Sequence, residues 1–267
     1  MRGGQSIGEK ARIEALNIYL STYEKYQSEG NREGMAQTLE KMGDISASMQ
    51  KLHNAYDFYQ KSLKIWEELE NQQALAEILR KLGVISHRIN RLYEAQSYLK
   101  DALELYERMG DQHGVAMVFH ELGIVSSKLR DYKHAEEYLS RSLELERKLN
   151  NELGEAETLH ELGNIYAVQE KYAEAQRCYF ESLQAKIRLK DKLGEAITRA
   201  ALGQVYLLRG NPDEAVEMWR MSLPILEAHG LPEAKTVREW IRFWTSDVGR
   251  RRLKFAKFTE MRKSPGD

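Results

Sequence analysis

Cysteine occurs once in the 267 residues, at Cys178, so the chain holds no internal disulfide framework, and the scarcity fits a reducing compartment. Proline occurs four times, at Pro212, Pro224, Pro232 and Pro265. An interior proline costs a helix about 3 kcal/mol, so long stretches without one leave room for long helices. No apolar run approaches the roughly 18–20 residues that a membrane span needs. The opening MRGGQSIGEKARIEAL lacks the apolar core of a secretory signal. Neither sign of charge is in excess: 40 Lys and Arg stand against 41 Asp and Glu, a net of −1, so global charge argues for no particular partner. Runs of alternating β-branched residues are missing as well, while Ala, Leu, Glu, Lys, Arg and Gln dominate. These absences leave an all-α, cytoplasmic chain as the expectation.

What is present is a period. HELG stands at 120–123 and again at 160–163, forty residues on. At the same offset Met42-Gly43, Leu82-Gly83, Leu122-Gly123, Leu162-Gly163 and Leu202-Gly203 fall in register. Ala55, Ala95, Ala135, Ala175 and Ala215 each follow a glycine by twelve residues. A small residue and a leucine come seven further on, from Ser62-Leu63 to Ser222-Leu223, and no gap is needed across five copies. Glycine inside a helix costs roughly 1 kcal/mol against alanine, so glycines in register imply a close approach by a neighbour. Turn-forming stretches split each copy in two, which predicts an antiparallel helix pair, A then B, of roughly 16–17 residues each.

In GEAETLHELGNIYAVQEKYAEAQRCYFESL the residues Leu159, Leu162, Gly163, Tyr166, Ala175, Tyr179 and Ser182 hold a spacing that resembles the tetratricopeptide repeat family. The copies here are forty residues long rather than the family's usual thirty-four. The usual proline closing helix B is missing, and serine replaces the aromatic after Leu-Gly in the first three copies (Ser46, Ser86, Ser126). The forty-residue form resembles Pins-type polarity adaptors and bacterial Rap-type regulators. That resemblance implies a right-handed superhelical solenoid of antiparallel helix pairs. It divides the chain into an N-terminal half-repeat or capping helix (1–33), five repeats (34–233), a C-terminal capping helix (234–247) and a basic tail (248–267).

Two readings of the first segment stay open: a capping helix, or a half-repeat that makes the chain a fragment of a longer array or meets further repeats end-on. At the other end Phe243 stands where a sixth Leu-Gly glycine would be, so Trp240, Phe243 and Trp244 are expected to cover the last repeat. The tail has seven basic residues, among them Arg250, Arg251, Arg252, Lys254 and Lys257, and two acidic ones, a net of +5 that leaves the rest of the chain at −6. Phe255, Phe258 and Met261 recur at intervals of about three, so a helix would set them on one side. A solvated terminus, a fold-back onto the acidic array and a basic targeting element are all compatible with this composition. The tail contains no sequence-reading nucleic-acid motif.

The resemblance implies that A helices line a concave binding face. The family's groove positions fall on Glu77, Arg80, His87, Arg88, His120, Lys128, His160, Asn164, Gln204, Leu207 and Leu208. Arg80, Arg88 and Lys128 are candidates for holding acidic groups of a protein or peptide partner. Asn164 is a candidate for a ligand's main chain, and Leu207 with Leu208 for an apolar anchor. Any surface helix carries such charges, so each residue also has a plain solvated reading. HELG is not the H-E-x-x-H zinc motif, because no second histidine follows one turn later. His120 and His160 are expected as equivalent positions roughly 8–10 Å apart on neighbouring helices, with some pH sensitivity near pH 6–7. No catalytic residues, metal ligands or cofactor sites are expected, and Cys178 reads as a packed small hydrophobe. The function expected is a non-enzymatic adaptor that captures a partner peptide or helix. The alternatives are a ligand- or tail-gated sensor and an assembly unit that stacks end to end.

Overall fold

A computed structural model describes residues 2–249 of the chain, and among them every regular element is an α-helix. In order these are α1 (Arg2–Ser28), α2 (Arg32–Ser48), α3 (Leu52–Glu68), α4 (Gln72–Arg88), α5 (Leu92–Met109) and α6 (Gln112–Lys128). Then follow α7 (Tyr132–Lys148), α8 (Glu152–Val168), α9 (Tyr172–Arg188), α10 (Lys192–Leu208), α11 (Pro212–Ala228) and α12 (Glu233–Thr245). From α2 to α11 a new helix begins every twenty residues, so the forty-residue repeat is two nearly equal halves. The even-numbered helices are the A helices of the sequence pattern and the odd-numbered ones the B helices. None is long and apolar enough to cross a membrane, among the described residues. The basic tail from Arg250 onward, with Arg251, Arg252, Lys254 and Lys257, lies outside the described residues.

The same left-handed turn follows each helix from α1 to α11. One residue in every connection takes a left-handed backbone, at Gly30, Gln50, Glu70, Asn90, Gly110, Arg130, Asn150, Glu170, Lys190, Gly210 and Gly230. The next amide then reaches back to the closing turn, as from Asn31 to the Tyr26 carbonyl (2.9 Å) and from Lys171 to Tyr166 (2.9 Å), the Schellman closure. Starts vary along the chain: α12 has no side-chain cap, and α7 has one in Asp131, which accepts from the His134 amide at 3.2 Å. Asn31, Asn71, Asp111, Asn151 and Asp191 cap α2, α4, α6, α8 and α10 with a side-chain oxygen. Lys51, Arg91 and Lys171 precede α3, α5 and α9 without any side-chain cap.

The chain forms two compact units divided between Leu145 and Glu146, inside α7, rather than at a repeat boundary. In a repeat array each pair packs only on its neighbours, so the core is a series of local clusters. Tyr59, Trp66, Leu82 and Ile85 centre one cluster in the first unit, and Leu99, Tyr106, Phe119 and Leu122 another. In the second unit the clusters centre on Tyr179, Leu183, Leu202 and Val205, then on Trp219, Leu226 and Val237.

The close approach inferred from the glycines is real. A Cβ added at Gly43 would lie 2.3 Å from the Tyr59 ring, and one at Gly203 would lie 2.5 Å from Trp219. The small residue of helix B also bonds across the pair: Ser62, Ser142 and Ser182 each donate to the carbonyl of Ala36, Ala116 and Ala156, at 2.6–2.9 Å. At the far end Trp240 packs at a tilt on Trp219 with ring centres 5.0 Å apart, and Trp244 joins the same cluster. Phe243 departs from the expected cover. It is 37% exposed and meets Trp244 edge-on, because it falls one position off the packed stripe of α12.

Candidate functional site

In the first unit the A helices α2, α4 and α6 carry a surface of paired charge. Three residues apart on α4, Glu77 and Arg80 meet on one face, where the Arg80 Nε and Nη2 atoms donate to the two Glu77 oxygens at 3.1 and 2.7 Å. The Tyr106 hydroxyl donates to Glu77 as well, at 2.9 Å. Burial pushes the Glu77 carboxyl up, but the Arg80 guanidinium and Tyr106 outweigh it and hold the group below the usual carboxylate range. Lys81 donates to Glu40 at 2.7 Å and to Asp44 at 2.8 Å, and Asp44 also accepts from the Tyr59 hydroxyl at 2.8 Å. Arg80 is thus already held in a two-point grip by its own helix.

The uncommitted positive charge lies at the helix ends. Arg88 is exposed and donates to Gln50 at 3.0 Å, and Lys128 is exposed in the last turn of α6. Burial first, then Lys128 and Arg88, lower the proton affinity of His87, so the two cations form a basic lip beside a neutral His87. Burial takes His120 down to about 4, which keeps its ring neutral through pH 6–7.

The second unit has a different surface. Its A helices α8, α10 and α12 enclose a cavity of about 390 Å³, within the usual range of a ligand pocket. Ile197, Leu226, Leu231, Val237 and Trp240 form its apolar walls. His160, Asn164, Gln204, Glu233 and Thr236 form its polar rim. His160 pairs through Nδ1 with the Thr198 hydroxyl (3.1 Å), which also accepts from the Lys186 ammonium (2.9 Å). The Tyr179 hydroxyl donates to the Asn164 oxygen at 2.6 Å, and the Asn164 amide donates to Glu161 at 3.0 Å. These contacts fix one side of the rim. Gln204, Glu233 and Thr236 make no side-chain hydrogen bond or ion pair among the described residues. Fixed apolar walls beside uncommitted polar groups suit the capture of an apolar side chain and the reading of polar groups around it.

The sequence-derived candidates therefore separate. His160, Asn164 and Gln204 come together at the pocket, while Leu207 turns into the last apolar cluster and Leu208 stays 57% exposed. Glu77, Arg80, His87, Arg88, His120 and Lys128 belong to the first unit. The pocket residues of α12 were read in sequence only as a cap. A signal for them was available, since Val237 and Trp240 lie forty residues beyond Ile197 and Ala200. No three His, Cys, Asp or Glu side chains converge to hold a metal ion, among the described residues. Cys178 is 4% exposed, and burial lifts its thiol to about 11.

The tetratricopeptide repeat profile matches residues 34–108, 75–148 and 154–228. No curated protein matches the sequence. Among solved structures the chain is similar to BtubC (BKLC) from P. vanneervenii, with 19% identity over 89% of this chain and 94% of that one, and a TM-score of 0.67. It is similar to the apo form of RapI, with 18% identity over 95% and 96% of the two chains and a TM-score of 0.67. A Rap protein complexed with Competence and Sporulation Factor aligns at 17% identity over 95% of this chain and 74% of that one, with a TM-score of 0.64. At these identities the likeness is one of fold.

Proposed function

The chain belongs to the tetratricopeptide repeat family, and on that premise we propose that it is a non-enzymatic adaptor holding a segment of a partner protein against its A-helix face. One observation carries the reading: the pocket among α8, α10 and α12 combines apolar walls with three polar side chains that the rest of the fold leaves uncommitted. A partner side chain in that pocket would bury apolar area worth roughly 1.5–3 kcal/mol. Gln204 and Thr236 would pair with polar groups beside it. In the first unit the lip of Arg88 and Lys128 supports contact with acidic groups elsewhere on a partner. The related Rap protein whose structure holds Competence and Sporulation Factor supports capture of a separate ligand by this kind of array. The single, buried thiol supports a reducing, cytoplasmic setting.

The test is affinity capture with the full chain, with Ile197→Glu, with Arg88→Glu plus Lys128→Glu, and with Phe180→Ser as a control on an exposed B-helix position. Ile197 and Phe180 are 38% and 52% exposed, so neither change removes a core residue. Loss of a partner with Ile197→Glu and its retention with Phe180→Ser supports the reading. An unchanged set of captured proteins from all the variants overturns it.

A further inference from the structure

The pocket of the second unit has one carboxylate, Glu233, in its lining and no Lys or Arg to balance it. Glu157 is exposed on α8, one turn before Glu161, and Glu233 forms part of the rim. Neither Glu157 nor Glu233 has an ion-pair partner among the described residues. Burial raises the Glu157 carboxyl above its usual range, and although Lys186 draws it down, Asp191, Glu146 and Glu161 add to the rise. An occupant of this pocket therefore needs an apolar side chain for the walls and positive charge for the rim.

The chain carries such a segment. Residues 250–267 include Phe255, Phe258 and Met261 interleaved with Arg250, Arg251, Arg252, Lys254 and Lys257. The described chain ends at Gly249, packed on the backbone of Phe243 and Trp244 just beyond α12. The pocket begins one helical turn and more before that point, at Trp240, Val237, Thr236 and Glu233. From Gly249 to Phe255 an extended chain spans up to roughly 20 Å, about the whole length of the thirteen-residue α12. A chain of that length leaving Gly249 is long enough to return to the pocket walls and to Glu233.

A second depression, of about 460 Å³, lies nearer to Gly249 among Asp213, Glu217, Arg220, Met221 and Trp244. Its lining is more polar and mixes Arg220 with Asp213 and Glu217, whereas no Lys or Arg lines the first pocket. This second depression serves as the control.

We propose that residues 250–267 dock back into the pocket among α8, α10 and α12, placing Phe255 or Phe258 between Ile197, Leu231 and Trp240 with a basic residue beside Glu233. This rests on the reading of that pocket as the partner site, for which the tail is then a built-in competitor. A partner gains access when it displaces the tail.

The test uses the full chain and the reactivity of an introduced thiol, since Cys178 is buried and reacts slowly. In one chain the thiol comes from Gln204→Cys at the pocket, and in another from Glu217→Cys at the control depression. Each is prepared with the natural tail and with Phe255→Ser, Phe258→Ser and Met261→Ser together, and maleimide labelling rates are compared. The pocket thiol is expected to react about tenfold more slowly with the natural tail, as a docked fraction near 90% would give. A synthetic peptide of residues 250–267 is expected to restore that protection to the tail-substituted chain, and added salt to weaken it. Equal rates at position 204 with both tails overturn the proposal, as does a difference confined to position 217. Protection that grows with protein concentration also overturns it, because the occupant is then the tail of a second copy. Loss of partner capture by Ile197→Glu is independent of all these outcomes, so the tail can fail while the adaptor reading stands.

Discussion

One position of helix B shows how differently the two units use a single template. At forty-residue steps the chain places Trp66 and Tyr106 in the first unit, then Glu146, Lys186 and Leu226 in the second, and all five are at most 5% exposed. Opposite Tyr106, Glu146 and Lys186 the following helix makes room with a glycine. A Cβ at Gly114 would lie 2.2 Å from the Tyr106 ring, and one at Gly154 would lie 2.5 Å from the Glu146 carboxyl. In the first unit an aromatic fills that space and charge stays in surface pairs, such as Lys81 with Glu40 and Asp44. In the second unit charge goes inside, where Lys186 donates to Thr198 and Thr198 in turn pairs with His160 at the pocket rim. The backbone period is thus indifferent to what fills it. The filler decides whether a unit is only packed or also carries a polar seam to its binding face.

Exchanging the fillers breaks the comparison most strongly. Trp66→Lys, which puts the residue of the second unit into the first, is expected to cost about 3–5 kcal/mol. It removes a buried aromatic and strands an ammonium with no Thr198 counterpart, and the midpoint of urea unfolding reads the loss. Next comes Gly114→Ala. The ring of Tyr106 is confined, so overpacking of about 1–3 kcal/mol exceeds the roughly 1 kcal/mol that alanine gains in a helix, and the melting temperature should fall.

The reverse exchange is smaller and opposite in sign. Burial lowers the proton affinity of Lys186 from its ordinary 10.5, only partly opposed by Asp191, Glu157 and Glu161. Between the lowered value and 10.5 the unfolded chain holds more protons than the folded one, so stability rises with pH across that window. Below the lowered value the full cost of the buried charge is present. Lys186→Met is therefore expected to raise stability by about 1 kcal/mol at neutral pH. Melting curves at several pH values should show that advantage shrinking as pH climbs toward 10.5.

The smallest effect should be the same in both units. Glu70 and Glu170 hold left-handed backbone at φ 53° and 60°. Glu70→Gly and Glu170→Gly should each stabilise by about 0.5–1 kcal/mol in thermal melts, because glycine adopts that region without steric cost.

These contrasts also mark what the sequence makes legible. The helix pairs, their antiparallel packing and the glycine contacts follow from residues in register, because a repeat writes each steric demand several times over. The left-handed connections do not, since Gln50, Arg130, Glu170 and Lys190 have no turn chemistry of their own and are set by the Schellman closure around them. Arg80 shows a limit of another kind. Its partner Glu77 lies three residues away in plain view, yet only the folded geometry tells that the two meet in a two-point pair. The pocket was half legible: His160, Asn164 and Gln204 sit on the repeated face, but the walls from Leu226, Leu231 and α12 come from the irregular end of the array, where the pattern is written only once.

The central claim is that the pocket in the second unit is where a partner docks, and site-specific photo-crosslinking tests it most directly. A benzoylphenylalanine replaces Gln204 at the rim or, as a control, exposed Phe180 on α9, both in the full-length chain in its native cell. A discrete crosslinked partner is expected from position 204, lost when Ile197→Glu is added, with none from position 180. The same product from both positions, or a position-204 product indifferent to Ile197→Glu, would contradict the claim.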